Sequence, residues 1–417
     1  MAPLHLLASF LPAAAHAEDA PLGPPAEAAR TPAEDPSTRE GSWRWSALPN
    51  ISYDTDDGFG LGARGQFDHR VPGYDPYRSS FVVHVFASTT GYQHHRFRLD
   101  LVGLGREHTL RLTGHFAYRA WLNDGYWGIG NGTVRDTLYE GPYDPLEPAK
   151  KHYHYTLIQP FSHLTLRANL GGPWVGYAAL EGRYSAVRTY AGSLLEAQHP
   201  YGVDGGPAVQ ASGGMLYDTR APEVTPTHGV LLEGGARVVE GFDGAPFGGP
   251  FLSARAYTTL FPGAVFATRW MGEYLAGDVP FYEMVHWGGF VPIAGFGGAD
   301  TLRGIPFGRW RAPGKTVLNT ELRLDTVRHP LLGEEMRWQI LPLADVGAVF
   351  GAGEDATEPS PAMPLHPTVG LGLRGIWATT LVGRADFAFG WDRVREPDGF
   401  IHSTRDIGFY LAFDHTF

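Results

Sequence analysis

Segment after segment of this chain alternates apolar and polar residues, and nowhere does an apolar run reach the roughly 18 residues that a spanning helix requires. Leu164, Leu166, Ala168 and Leu170 interleave with Thr165, Arg167 and Asn169; Phe97, Leu99 and Leu101 interleave with Arg98 and Asp100; and Leu110, Leu112, Phe116 and Tyr118 continue the pattern. Period-2 alternation gives a strand one oily and one polar face. Only helices and closed barrels cross lipid, because hydrocarbon offers no partner to an unpaired backbone group. The expectation is therefore an all-β chain, a transmembrane antiparallel barrel with charged side chains turned into its lumen. A water-soluble β-protein of the same size is the alternative, and the 13% aromatic content over so many alternating strands weighs against it. The slightly negative mean hydropathy of −0.18 suits strands that turn half of their side chains to polar surroundings.

The first residues read as an export signal. Leu4–Leu11 form a short apolar core, Ala15-His16-Ala17 is an A-x-A site, and cleavage is expected after Ala17, although His5 is the only candidate for a positive n-region. Residues 18–42, led by Pro21-Leu22-Gly23-Pro24-Pro25, are rich in Pro, Ala and Glu and read as a disordered linker. The remaining 43–417 span 375 residues (417 minus 42), which accommodates about sixteen strands of roughly ten residues each. At the other end, Ile407, Phe409, Leu411, Phe413, His415 and Phe417 alternate to the last residue.

The segment Gly297-Gly298-Ala299-Asp300-Thr301-Leu302-Arg303-Gly304-Ile305 does not fit this rhythm. Glycines permit a tight turn and a close approach to a wall, and an arginine then presents a fixed fork of donors. Two acids on later alternating segments stand ready to receive it: Glu321 within Val317–Asp325 and Asp345 within Leu343–Phe350. By itself, Arg303 would read as an ordinary loop arginine. In this order, the three pieces resemble the BamA/TamA superfamily of outer-membrane assembly barrels, also called the bacterial surface antigen family. The resemblance implies that Leu302, Arg303, Gly304 and Ile305 tip a sixth extracellular loop folded into the barrel, with Glu321 and Asp345 as lumenal partners of Arg303. Ile305 stands where the family usually has an aromatic. Leu48–Gly58, Tyr126–Asn131 and Tyr217–Arg220 with Pro226–Gly229 extend the likeness over most of residues 43–417. Asp406, Gly408, Leu411, Phe413 and Phe417 likewise resemble the C-terminal β-signal that such barrels present to their insertion machinery.

The implied location is the bacterial outer membrane, with its lipid as the surroundings, and the implied job is assisting insertion or translocation of proteins, or lipids. That work would run through a lateral seam between the first strand, around Asn50–Tyr53, and the last, around Gly408–Phe417. Residues 18–42 leave no room for a POTRA domain, so a barrel-only member is expected, with a client protein and a separate periplasmic partner. A passive pore is the alternative function, followed by a barrel phospholipase. No G-x-S-x-G occurs, although a triad assembled in space needs none. We expect no enzyme activity, no cofactor and no metal.

Other groupings carry less chemistry. Asp54-x-Asp56-Asp57-Gly58 lacks the ligand spacing of a calcium loop and reads as a polar turn. His94-His95 and His152-x-His154 would need further ligands to hold a metal. The net charge of −11 disfavours nucleic acid as a partner. The absence of cysteine suits a periplasm-exposed protein but decides little.

Overall fold

The structure is a computed structural model and describes residues 41–74, 77–105, 108–140, 148–222, 225–241, 244–351, 365–377, 381–413 and 415–417. Residues 1–17, with the expected cleavage at Ala17, lie outside the described residues, as does the linker up to residue 40.

Sixteen long strands follow one another as an antiparallel meander. They are β1 (Ser42–Asp54), β2 (Gly58–Arg70), β3 (Ser79–Ser88), β4 (Tyr92–Leu104), β5 (Leu110–Gly125), β6 (His154–Gly171), β7 (Trp174–Arg188) and β8 (Gly206–Asp218). The second half comprises β9 (Gly229–Glu240), β10 (Pro246–Phe261), β11 (Ala264–Tyr274), β12 (Gly314–Leu331), β13 (Glu334–Phe350), β14 (His366–Trp377), β15 (Leu381–Arg395) and β16 (Ile401–Phe413). Each strand pairs with the next, and β1 meets β16, so the sheet closes on itself. Two short pieces join the ladder: Arg135–Asp136 lies parallel to β15, and Ala276–Gly277 pairs with β10. No helix among the described residues is long and apolar enough to cross a membrane.

The alternation seen in the sequence becomes an inside and an outside. Phe116, Leu164, Leu180, Val209 and Leu371 are exposed on the outer surface, whereas Arg96, Asp100, Thr165 and Arg167 are buried within. An exposed belt of this composition has no place in water, and together with a closed antiparallel ladder it defines a membrane-spanning barrel.

Closure is unequal. β1 faces β2 continuously, from Ser42 opposite Arg70 to Asp54 opposite Gly58. Against β16 its register consists only of Tyr53 opposite Leu411 and Asp54 opposite Tyr410, among the described residues. The seam is thus the least hydrogen-bonded junction of the wall, and it leaves most of the β1 and β16 edges open to another strand.

The last residues depart from expectation. On β16, Ile407, Phe409 and Leu411 are exposed outward as the alternation predicts. The strand stops at Phe413, however, and Phe417 does not continue it. Phe417 is buried instead against Tyr257, Val265 and Ala267. The guanidiniums of Arg269 and Arg323 sit 5.1 and 5.5 Å from its ring centre, and its carbonyl oxygen accepts from Arg323 at 3.0 Å. Two cation–π contacts, an apolar pocket and the bond from Arg323 together hold Phe417 there.

Candidate functional site

Between β11 and β12, residues 278–313 make buried contacts with strand residues. Phe281, Glu283, Phe296, Thr301, Leu302, Arg303, Arg309 and Arg311 in this segment are all fully buried. Their apolar members pack with strand residues: Leu302, Ile305, Phe296 and Trp310 form one cluster with Met271, Val317 and Val349.

Residues 297–305 fold into a compact turn. Thr301 Oγ1 accepts from the Gly297 N–H at 2.9 Å and donates to the Gly297 carbonyl at 2.8 Å, and the Gly298 N–H reaches the Ile305 carbonyl at 2.8 Å. Gly304 has φ +92°, and a Cβ there would fall 2.8–2.9 Å from the backbone of Ala388 and Phe389 on β15. Only glycine combines that conformation with that approach. Ile305, in place of an aromatic, fits the notch above Gly390, where a Cβ would meet its Cδ1 at 2.2 Å.

This turn delivers Arg303 to the carboxylates named from the sequence. Nε and Nη2 donate to Asp345 Oδ2 and Oδ1 at 2.9 and 2.8 Å, a bidentate pair, and the Arg303 backbone N–H adds a third bond at 3.2 Å. Nη1 donates to Glu321 Oε1 at 2.7 Å. Asp345 stands opposite Asn319, so it shares the inner face with Glu321 two residues along. The coulombic pull of Asp345, Glu321 and Asp386 overrides the desolvation penalty and holds the guanidinium well above its ordinary pKa.

The cluster is larger than the motif. Asp386 on β15 accepts from Arg303 at 3.4 Å and is bound by Arg374 of β14. Glu321 also receives Arg323 at 3.0 Å and Arg374 at 3.4 Å. Arg384 joins Asp300 at 3.2 Å and Thr416 Oγ1 at 2.7 Å. Sequence reading missed Asp386, Arg374 and Arg384. Arg384-x-Asp386 does carry the same-face spacing of a strand, but nothing in the sequence says which inward residues reach Arg303.

Two contacts tie the turn to the seam. The Gly304 N–H donates to Tyr410 Oη at 3.0 Å, and Tyr410 is the β16 residue opposite Asp54. The Phe307 N–H donates to Asp56 Oδ1 at 3.1 Å, in the turn between β1 and β2. Asp56 is thus part of this site, and Asp57, whose N–H bonds Asp54 Oδ1 at 2.5 Å, belongs to an ordinary turn. Of the β-signal residues, Asp406 pairs with Arg135 at 2.7 Å, and Gly408 makes room for the inward Tyr410, whose Oη would lie 2.3 Å from a Cβ there. Leu411 faces outward and Phe413 ends the strand.

Further along, Arg309 is clamped by Asp392 at 2.5 and 3.0 Å and by Thr133 Oγ1 at 2.8 Å. Asn131 of the Tyr126–Asn131 segment bonds His366 at 2.7 Å, and Trp310 stacks on the same imidazole. Glu283 binds Arg183 and Arg237 at 3.1 and 3.0 Å. His94 and His95 point to opposite faces of β4, as consecutive strand residues must, and share no ligand site.

A closed sixteen-stranded membrane barrel, with a buried arginine paired to strand carboxylates and its shortest junction nearby, defines the class. No family model and no curated protein matches the sequence. Among solved structures, BamA from Haemophilus ducreyi lacking POTRA domains 1–3 superposes with TM-score 0.56 at 13% identity, over 88% of this chain and 70% of that one. CdiB from Escherichia coli gives 0.55 at 12% identity, over 90% and 68%. The chain therefore shares the barrel fold of these two structures. A closed antiparallel barrel with an apolar outer belt is built for the bacterial outer membrane.

Proposed function

We propose that this barrel assists the insertion or translocation of proteins at the outer membrane by opening its β1–β16 seam, without enzymatic chemistry. The observation that carries the proposal is the seam itself: two register pairs, flanked on both edges by the turn that Arg303 anchors. An incoming strand gains main-chain hydrogen bonds from an open edge, and the exposed stretches of β1 and β16 offer such edges. The Arg303 turn is the proposed latch, corresponding to the sixth extracellular loop of BamA/TamA barrels. Asp406, Gly408, Leu411, Phe413 and Phe417 are the proposed docking signal for the insertion machinery, residues 1–17 the export signal and 18–42 the linker. A separate periplasmic partner is proposed to deliver the client.

The test is a reversible lock. The chain has no cysteine, so Tyr53→Cys with Leu411→Cys places a single disulfide across the seam. Cells relying on the locked barrel should lose other barrels, or one client class, from the outer-membrane proteome, and reductant should restore them. An unchanged proteome with steady ion conductance in planar bilayers, indifferent to Arg303, would replace this reading with a passive pore.

A further inference from the structure

Away from the Arg303 cluster, β4–β9 and residues 283–294 line a partly open cavity of about 120 Å³. Six arginines line it, Arg98, Arg111, Arg119, Arg167, Arg183 and Arg237, against two lining carboxylates, Glu181 and Glu283. Two more acids stand behind them. Asp100 holds Arg98 at 3.0 Å and also binds Arg111, and Glu273 holds Arg237 at 2.9 Å. Arg183 bridges Glu181 and Glu283 at 3.0 and 3.1 Å. Six guanidiniums thus face four carboxylates (two lining plus Asp100 and Glu273), and Glu273 is shared with Lys315 at 2.5 Å, so cations outnumber carboxylates here.

Arg119 is held differently from the rest. Its guanidinium carbon lies 4.9 Å from the ring centre of Trp121 and 5.1 Å from that of Phe161. The rings steady the charge, but a π face accepts no ordinary hydrogen bond from the in-plane N–H groups. Arg119 is half-buried, and its Nε is shut off from solvent with no hydrogen-bond partner among the described residues. An N–H shielded from water without an acceptor is costly. The missing acceptor is what a tetrahedral oxyanion supplies, two oxygens matched to the guanidinium fork. An oxyanion also offsets the excess of positive charge, and the hydroxyls of Thr113 and Ser212 line the same space. The cavity holds several waters or one such ion.

We propose that this chamber binds a phosphate-type oxyanion, with Arg119 as the fork that receives it. The oxyanion has two sources, free phosphate in the lumenal water or the phosphoryl headgroup of a lipid. The test uses the purified full chain in non-ionic, phosphate-free detergent, titrated calorimetrically with inorganic phosphate at constant ionic strength, with chloride as the control and dihexanoyl phosphatidate as a second titrant. Arg119→Gln removes the fork and leaves no ion pair broken, and Arg119→Lys keeps the charge without the bidentate geometry. Unchanged heat-modifiable mobility on gels establishes that each variant is folded.

Saturable phosphate binding is expected, weakened about tenfold or more in Arg119→Gln, with Arg119→Lys between. Binding of phosphatidate alone, with the same dependence on Arg119, keeps the site and assigns the source to a headgroup. Heat confined to nonspecific dilution for both titrants, or equal binding by Arg119→Gln, overturns the proposal.

Discussion

The backbone N–H of Gly304 donates to the phenolic oxygen of Tyr410 at 3.0 Å. Tyr410 is also the residue of the last strand that stands opposite Asp54 of the first. One side chain therefore belongs both to the anchored inner turn and to the short junction that closes the barrel. Loosening the turn and loosening the seam are predicted to be one event.

Arg303→Ala should release the turn. Asp345, Glu321 and Asp386 would lose a shared, fully buried partner, and breaking a desolvated pair from one side typically costs about 3–5 kcal/mol. The expected result is a lower urea midpoint and less heat-modifiable folded barrel. Arg303→Lys should recover part of the loss, because it restores charge without the fork. Wild-type behaviour of Arg303→Ala would remove the latch from the proposal.

Asp386→Asn tests a residue that motif reading passed over. Arg374 binds Asp386 and reaches Glu321 only at 3.4 Å, so the variant leaves a buried guanidinium underpaired. A destabilisation comparable to that of Arg303→Ala is expected in the same unfolding assay. The double variant should cost less than the sum of the two, since the pair shares one network.

Gly304→Ala and Gly333→Ala form a matched comparison. Both glycines have φ near +90° (+92° and +89°), but a Cβ at Gly304 meets the β15 backbone at 2.8 Å, whereas one at Gly333 meets nothing within 4 Å. Gly333→Ala should show only the backbone strain of about 1–2 kcal/mol. Gly304→Ala should add a steric displacement of the turn from Tyr410, visible as slower disulfide formation between cysteines placed at Tyr53 and Leu411. Equal effects of the two substitutions would contradict the close approach.

Acid should loosen the 278–313 segment. Burial raises the Glu283 carboxyl, but the charges of Arg183, His286 and Arg237 outweigh it and bring it from 4.5 down to about 2. Burial lowers His286 from 6.5 to about 3, Glu283 opposing and Arg119, Arg237 and Arg183 reinforcing. In both cases the unfolded chain binds more protons within the window, so stability falls as pH falls. The histidine acts from about pH 6.5 to 3 and the glutamate from about pH 4.5 to 2. Limited proteolysis across that range should show cleavage rising below about pH 6, with the upper part of the rise absent in His286→Gln. A flat profile would show that release of the segment is not linked to these groups.

The barrel was legible in the sequence because its determinant is local. Alternation over a strand assigns each side chain to lipid or lumen without reference to any other strand, as Leu164, Thr165, Leu166 and Arg167 show. Arg303, Glu321 and Asp345 stand in the order of a motif along the chain, and the structure hydrogen-bonds Arg303 to both acids. Asp386, Arg374 and Tyr410 were not legible, since inward polar residues on sixteen strands look alike until the closure of the sheet puts β14, β15 and β16 beside the same turn. Phe417 shows the limit most plainly. Its place in the alternation argues for lipid, and its capture by Arg269 and Arg323 depends on residues about 148 and 94 positions away that only tertiary packing brings to it (417 minus 269 and 417 minus 323). Periodicity determined which face of each strand meets oil; the distances that gather polar residues into the Arg303 cluster, the short β1–β16 junction and a charged chamber came from closing the barrel.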